Sequence, residues 1–193
     1  AVFTILRNHD LIITGDIGCY TLGVMEPLNS MDTCVCMGAG IGNAVGMVKS
    51  NSGYENKVVA VIGDSTFIHS GITGVIDAIY NKAPITTIIL DNRITAMTGH
   101  QHHPGTGYTL MNEPTIAVDY KRFVLAVGYE DNCVDEINPF NQKKFEEILL
   151  KHLSNNKPSI IIAKSPCVLL DTVKRKPVYF GIDKDKCVKC GRC

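Results

Sequence analysis

The chain has 193 residues, long enough for one domain with a sizeable core and a short excess. Apolar residues make up 45% and charged residues 20%, while Lys+Arg and Asp+Glu balance at 19 each. That balance removes the electrostatic footprint of nucleic-acid or anionic-membrane binding, and no apolar run reaches the roughly 20 residues that span a bilayer.

Leu11–Thr14 is the first apolar run of strand length, followed by Val58–Ile62, Thr86–Leu90 and Ser159–Ala163. These runs are β-branched and continuous, which predicts strands buried on both faces of a parallel sheet. Helical stretches lie between them: Ile41–Lys49 is small and apolar, Ile72–Asn81 is amphipathic, and Pro139–Ser154 shows helical spacing behind a proline. Alternating strand and helix predicts a three-layer α/β fold, a doubly wound and mostly parallel sheet with right-handed crossovers. Residues 1–170 are expected to form that domain. Thr172–Lys186 is lysine-rich and broken by a proline and reads as a linker, so 171–193 is expected to be a linker ending in a truncated cysteine motif.

Cysteine usage bears on the compartment. Eight cysteines, clustered and without a visible export signal, point to a reducing cytoplasm and not to a disulfide framework. Cys187, Cys190 and Cys193 stand as Cys-x2-Cys-x2-Cys, three quarters of a bacterial ferredoxin run, with a zinc knuckle as the rival reading. Cys34 and Cys36 are expected to be core cysteines, and Cys133 and Cys167 to play a structural role. The chain enters structured sequence directly from Ala1, as expected of a piece excised from something longer.

In open α/β sheets ligands collect at the carboxyl ends of the strands. Asp16, Asp64 and Asp91-Asn92 each follow a strand at that edge. Asp64 and Asn92 are hard oxygen donors; with the Ile94 backbone carbonyl they would suit magnesium, which takes few protein ligands and keeps sites for phosphate oxygens. Gly63, Ser65 and Thr66 are small enough to let backbone N–H groups approach phosphate at a helix start. Gly63-Asp64-Ser65 taken alone also suits a plain strand-to-helix turn. A flavin or nicotinamide Rossmann domain is disfavoured, because no Gly-x-Gly-x-x-Gly follows the first strand.

Gly63-Asp64-Ser65, then 25 residues, then Asp91-Asn92 resembles the signature of thiamine diphosphate enzymes, usually Gly-Asp-Gly, such a spacer and Asn-Asn. "MGAGIGNAVG" (Met37–Gly46) is similar to a second stretch of the same enzymes. The strings "GDIGCYTLG", "DTCVCMGAGIG", "GDSTFIHSGI" and "LDNRITAMTGHQHHPGTG" together resemble the diphosphate-binding domain of the alpha subunits of indolepyruvate:ferredoxin oxidoreductases. Ser65 and Asp91 depart from the general signature, while Asp64 and Asn92 are intact.

The resemblance implies thiamine diphosphate and Mg2+, with 4Fe-4S clusters in the intact protein. It implies oxidative decarboxylation of a 2-oxo acid, an arylpyruvate such as indolepyruvate, to an acyl-coenzyme A with ferredoxin as electron acceptor. Met37 would be an apolar wedge under the cofactor, against the alternative of a core methionine. The backbone from Val35 to Met37, with Gly38, would meet the aminopyrimidine ring; Asp16, Gly18 and Cys19 would border the diphosphate or the substrate. Cys19 is either a substrate-side residue or a buried, inert one. Thr98, Gly99 and Gln101 resemble a loop of related oxidoreductases, and His100 beside them is a candidate for proton transfer. His102 and His103 are assigned no role.

Thiamine enzymes also need a glutamate from a pyrimidine-binding domain. That domain, a beta- or gamma-type partner subunit and a homo-oligomeric assembly are implied, and the isolated chain is expected to be inactive. Two rivals stand beside this reading: a non-oxidative thiamine-dependent decarboxylase or synthase, and a non-catalytic metal or electron-transfer module.

Overall fold

The computed structural model describes residues 1–170, 173 and 181–190. Six strands form one sheet: β1 (Ile12–Gly15), β2 (Thr33–Cys34), β3 (Val58–Gly63), β4 (Thr86–Asp91), β5 (Val134–Ile137) and β6 (Ser159–Lys164), in the order β2-β1-β3-β4-β6-β5. Every pairing is parallel. The helices are α1 (Val2–Leu6), α2 (Ala39–Ser50), α3 (Asp64–Thr66), α4 (Ile72–Tyr80), α5 (Tyr120–Ala126) and α6 (Gln142–Leu153). This is the three-layer, doubly wound fold expected from the sequence.

Successive residues of a strand point to opposite faces, and the core divides accordingly. Val58, Ala60, Ile62, Ile89, Ile160 and Ile162 pack with residues of α2, α4 and α5. Val59, Val61, Ile88, Leu90, Ile161 and Ala163 pack with α1 and α6 through Leu6, Phe145 and Leu149. All six residues of β4 are buried, which is why its apolar run carries no alternation.

Two edge strands and two helices were not foreseen. β2 has two residues, and in β5 only Val134 is buried while Asp135 and Ile137 are half-buried and Glu136 exposed, so neither carries a continuous apolar run. α6 begins later than Pro139: Asn141 is its N-cap and accepts from Lys144 N at 3.4 Å. α2 begins earlier than Ile41, because Gly38 turns the chain through φ +84° into the helix. Cys34 is half-buried and packs against the core cluster that holds Leu6 and Phe145, whereas Cys36 lies outside β2 and is exposed, which corrects the expectation of a core residue there; among the described residues the fully buried cysteine is Cys133. Cys187 and Cys190 are exposed, whereas Cys193 and most of the expected linker lie outside the described residues.

The helix after β3 is continuous but uneven. α3 runs through a π-type turn, Phe67–Gly71, into α4. Phe67 is fully buried there and meets Tyr120 and Phe123 edge-on, with ring centres 5.8 and 6.1 Å apart. α2 lies unusually close to β1. Thr14 Oγ1 donates to Gly40 O at 2.8 Å, and a Cβ on Gly40 would stand 2.9 Å from Gly15 O. Gly42, by contrast, faces open space. Gly40→Ala should therefore lower the unfolding free energy by about 1–3 kcal/mol through overpacking. Gly42→Ala should raise it by about 0.4–1 kcal/mol by restricting the unfolded chain. Urea denaturation of the two variants checks both signs.

Candidate functional site

Parallel strands end together, so Asp16, Asp64 and Asp91-Asn92 emerge at one rim. The β3–β4 register pairs Gly63 with Leu90, which sets Asp64 beside Asp91. Asp64 is buried, and its carboxylate joins the two strand ends. Oδ1 accepts from Ser65 N at 2.8 Å; Oδ2 accepts from Asn92 N at 3.1 Å and from Arg93 N at 2.8 Å. Arg93 reaches that geometry with φ +64°, a left-handed conformation costly for a non-glycine residue. Asn92 is fixed as well: its Oδ1 accepts from Ile94 N and its Nδ2 donates to Tyr20 Oη, both at 3.0 Å. Thr95 Oγ1 donates to Ser65 Oγ at 2.8 Å and ties the following loop to the same turn.

A narrow cavity opens here, lined by 16–20, Gly63, Asp64, Ser65, Thr66, Asn92, Ile94 and the start of the 95–97 segment. Asp16, Gly18 and Cys19 thus reach the rim with Asp64 and Asn92. Asp16 spends its carboxylate internally, however. Gly38 N donates to both its oxygens (2.8 and 3.0 Å) and Ile17 N to Oδ1 (2.8 Å). Burial raises its pKa and these N–H groups oppose the rise. Asp16 therefore anchors the start of α2 to β1. Val35 and Met37, just before that helix, are exposed apolar side chains; Met37 is not a core methionine.

Thr98 and His100 are not brought to the rim. Both are exposed at a loop tip, and the Thr98 hydroxyl is engaged with Gln101 inside that loop. The histidine that does approach Asp64 is His103, buried, with Nε2 3.3 Å from Asp64 Oδ2. Its Nδ1 accepts from Gly105 N at 3.2 Å. Spacing alone could not single it out from its neighbours, because its contact runs across the fold. Asp91, to which the sequence motif assigns no ligand role, is buried with Arg93 Nε 3.2 Å from its Oδ1. Burial raises its pKa to about 6; the Arg93 guanidinium opposes the shift and the Asp64 carboxylate adds to it.

Beyond this rim lies a second, larger cavity of about 440 Å³, mostly apolar, lined among others by Phe3, Leu90, Phe140, Cys167 and Leu169. It shares Cys19, Tyr20, Asn92 and Ala96 with the first. Cys167 was expected to be structural; it is half-buried, faces this cavity, and its N–H donates to Asn92 O at 2.9 Å.

With this geometry in view, the chain was compared with known proteins. Residues 16–163 match the family model described as thiamine pyrophosphate enzyme, C-terminal TPP binding domain. The chain belongs to the thiamine pyrophosphate enzymes. Among curated relatives, the indolepyruvate oxidoreductase subunit IorA of Archaeoglobus fulgidus is 40% identical over 188 residues, 95% of this chain. That of Methanothermobacter marburgensis is 37% identical over 189 residues, 97% of this chain. The chain spans only 29% of the length of each. Among solved structures, the 2-oxoglutarate:ferredoxin oxidoreductase of Magnetococcus marinus superposes with a TM-score of 0.71 at 16% identity, covering 85% of this chain and 57% of that one. Benzoylformate decarboxylase of Polynucleobacter necessarius gives 0.59 at 15%, covering 84% and 32%. These likenesses establish the shared fold.

The donor set at the rim fits what a thiamine pyrophosphate enzyme holds there. Among the described residues, no three His, Cys, Asp or Glu side chains gather as a metal cage. A cation here would rest on one carboxylate, one amide oxygen and a backbone carbonyl, with the remaining positions left to water and phosphate. Asp64 Oδ1 and Asn92 Oδ1 each accept one hydrogen bond from the protein, and each keeps a lone pair.

The Asp91 environment has a measurable consequence. Its folded pKa lies above the ordinary 3.8, so folding favours the protonated acid. Its contribution to stability is full below about pH 4 and is lost as pH rises through about 6. Asp91→Asn should therefore gain stability relative to the wild type between pH 4 and pH 7, read as a diverging pair of urea midpoints.

Proposed function

We propose that this chain is the diphosphate-binding part of a 2-oxo-acid:ferredoxin oxidoreductase that acts on arylpyruvates such as indolepyruvate. The observation that carries the reading is the meeting of Asp64, Asn92 and Ile94 at one cavity, in a chain 40% identical over 95% of its length to an indolepyruvate oxidoreductase subunit. Bound thiamine diphosphate supplies the nucleophilic carbon and the electron sink for decarboxylation.

The chain's own residues would bind and orient. Asp64, the Asn92 amide oxygen and the Ile94 carbonyl would hold Mg2+. Backbone N–H groups around Gly63, Ser65 and Thr66 would receive the diphosphate at the start of α3, where the helix end carries positive potential. Val35, Met37 and Gly38 stand before α2 as an apolar platform for the cofactor rings, and the exposure of Val35 and Met37 suits that use. Cys19, which lines both cavities, would stand on the substrate side. His100 on its exposed tip and Thr98 beside it would have to be carried inward to act, so their part is confined to a closing loop.

In the intact enzyme Cys187, Cys190 and Cys193 would ligate a 4Fe-4S cluster. Electrons would leave through it to ferredoxin while coenzyme A takes the acyl group. A pyrimidine-binding domain, a partner subunit and pairing of identical subunits would complete the active site. The described cysteines are all free, which suits a reducing cytoplasm. Among the described residues no helix is long and apolar enough to cross a membrane. The fold also supports non-oxidative decarboxylases, as the likeness to benzoylformate decarboxylase illustrates; the cysteine tail favours the oxidative branch.

Calorimetry of thiamine diphosphate with and without Mg2+ tests the assignment. Binding should require the metal and should weaken at least about tenfold in Asp64→Ala, the loss of a charged ligand. Metal-independent binding, or binding indifferent to the substitution, overturns the assignment.

A further inference from the structure

The two oxygens of Asp64 are treated unequally. Oδ1 accepts only from Ser65 N, whereas Oδ2 takes the N–H groups of Asn92 and Arg93 and has His103 Nε2 at 3.3 Å. The His103 side chain is 5% exposed, and its ring is held tightly. Gly105 N donates to Nδ1, and a Cβ on Gly105 would fall 2.9 Å from the ring's Cε1 and 1.9 Å from Tyr120 Oη. Arg93 Nη1 donates to Gly105 O at 2.8 Å, which fastens the same loop to the residue beside Asn92.

An imidazole nitrogen that accepts a hydrogen bond cannot carry the proton, so the proton of His103 sits on Nε2. Nε2 makes no hydrogen bond among the described residues: it stands 3.3 Å from Asp64 Oδ2, but its N–H does not point along the line to that oxygen. A buried donor left without an acceptor costs about 1–3 kcal/mol. Asp64 is the acceptor within reach.

We propose that His103 is a positioning residue for the cation site: as a neutral donor it fixes the Asp64 carboxylate through Oδ2 and leaves Oδ1 for the metal. Lysine or arginine in its place would pair with Asp64 and repel a divalent ion. A neutral N–H orients the ligand without cancelling its charge, the usual part of a residue standing behind a metal ligand. The inference rests on the proposed metal–diphosphate reading of this rim.

The test titrates Mg2+ calorimetrically into the chain in the presence of excess thiamine diphosphate. His103→Leu should weaken Mg2+ affinity about ten- to a hundredfold, and His103→Gln, whose amide N–H extends to where Nε2 stands, should restore it to within about threefold. Should His103→Leu fail to fold, His103→Asn, polar but too short to reach Asp64, takes its place with the same expectation. Thermal unfolding of each variant is followed alongside, since a merely structural histidine would change stability without this pattern of loss and rescue. The inference falls if the variant lacking the donor binds Mg2+ like the wild type, or if the glutamine variant binds as weakly as it does at equal stability. Failure of the wild type itself to bind Mg2+ removes the underlying reading and the inference with it, and is recognised because no variant is then needed to see it.

Discussion

A buried carboxylate bonded to the backbone of a neighbouring strand's end holds this rim together. Asp64 leaves β3 and takes N–H groups from Asn92 and Arg93 just beyond β4. Hydrogen bonds to a charged acceptor are worth about 1.5–3 kcal/mol each. The pair offsets the left-handed turn at Arg93, whose strain is of order 1–3 kcal/mol. Remove the carboxylate and both the turn and the orientation of the Asn92 amide lose their support. The structural demand and the proposed ligand-holding one thus fall on one side chain.

The same logic governs the opposite side of the cavity. Asp16 is a second buried carboxylate, and the N–H groups of Gly38 and Ile17 consume it. Asp16 determines where α2 starts, and the Gly40 contact with Gly15 determines how close α2 lies to β1. Two carboxylates at successive strand ends are therefore put to different uses, according to which donors the fold brings to them. Asp91 is a third, largely desolvated beside Arg93. Position at the rim does not by itself decide a carboxylate's task.

How much of this the sequence disclosed follows from the same physics. The four inner strands were legible because burial on both faces demands unbroken apolar runs. β2 and β5 were not, because an edge strand half in water needs no such run. α5, Tyr120–Ala126, mixes aromatic, basic and aliphatic residues over less than three turns, too short for a period to stand out. That Asp64 and Asn92 would share a rim could be argued from their places after apolar runs. The approach of His103 to Asp64 could not, because it depends on how a long irregular loop folds back. Nor could the burial of Asp91 or the left-handed Arg93, since a non-glycine residue carries no local mark of positive φ.

Tyr20 forms part of the partition between the small polar cavity and the large apolar one. On one side its hydroxyl accepts from the Asn92 amide; on the other its ring meets the greasy chamber lined by Leu90 and Cys167. A guest that displaced the ring would tug the phenol and loosen the amide's grip. The two compartments share that wall, so any energetic influence that passed through it would have to run equally in both directions.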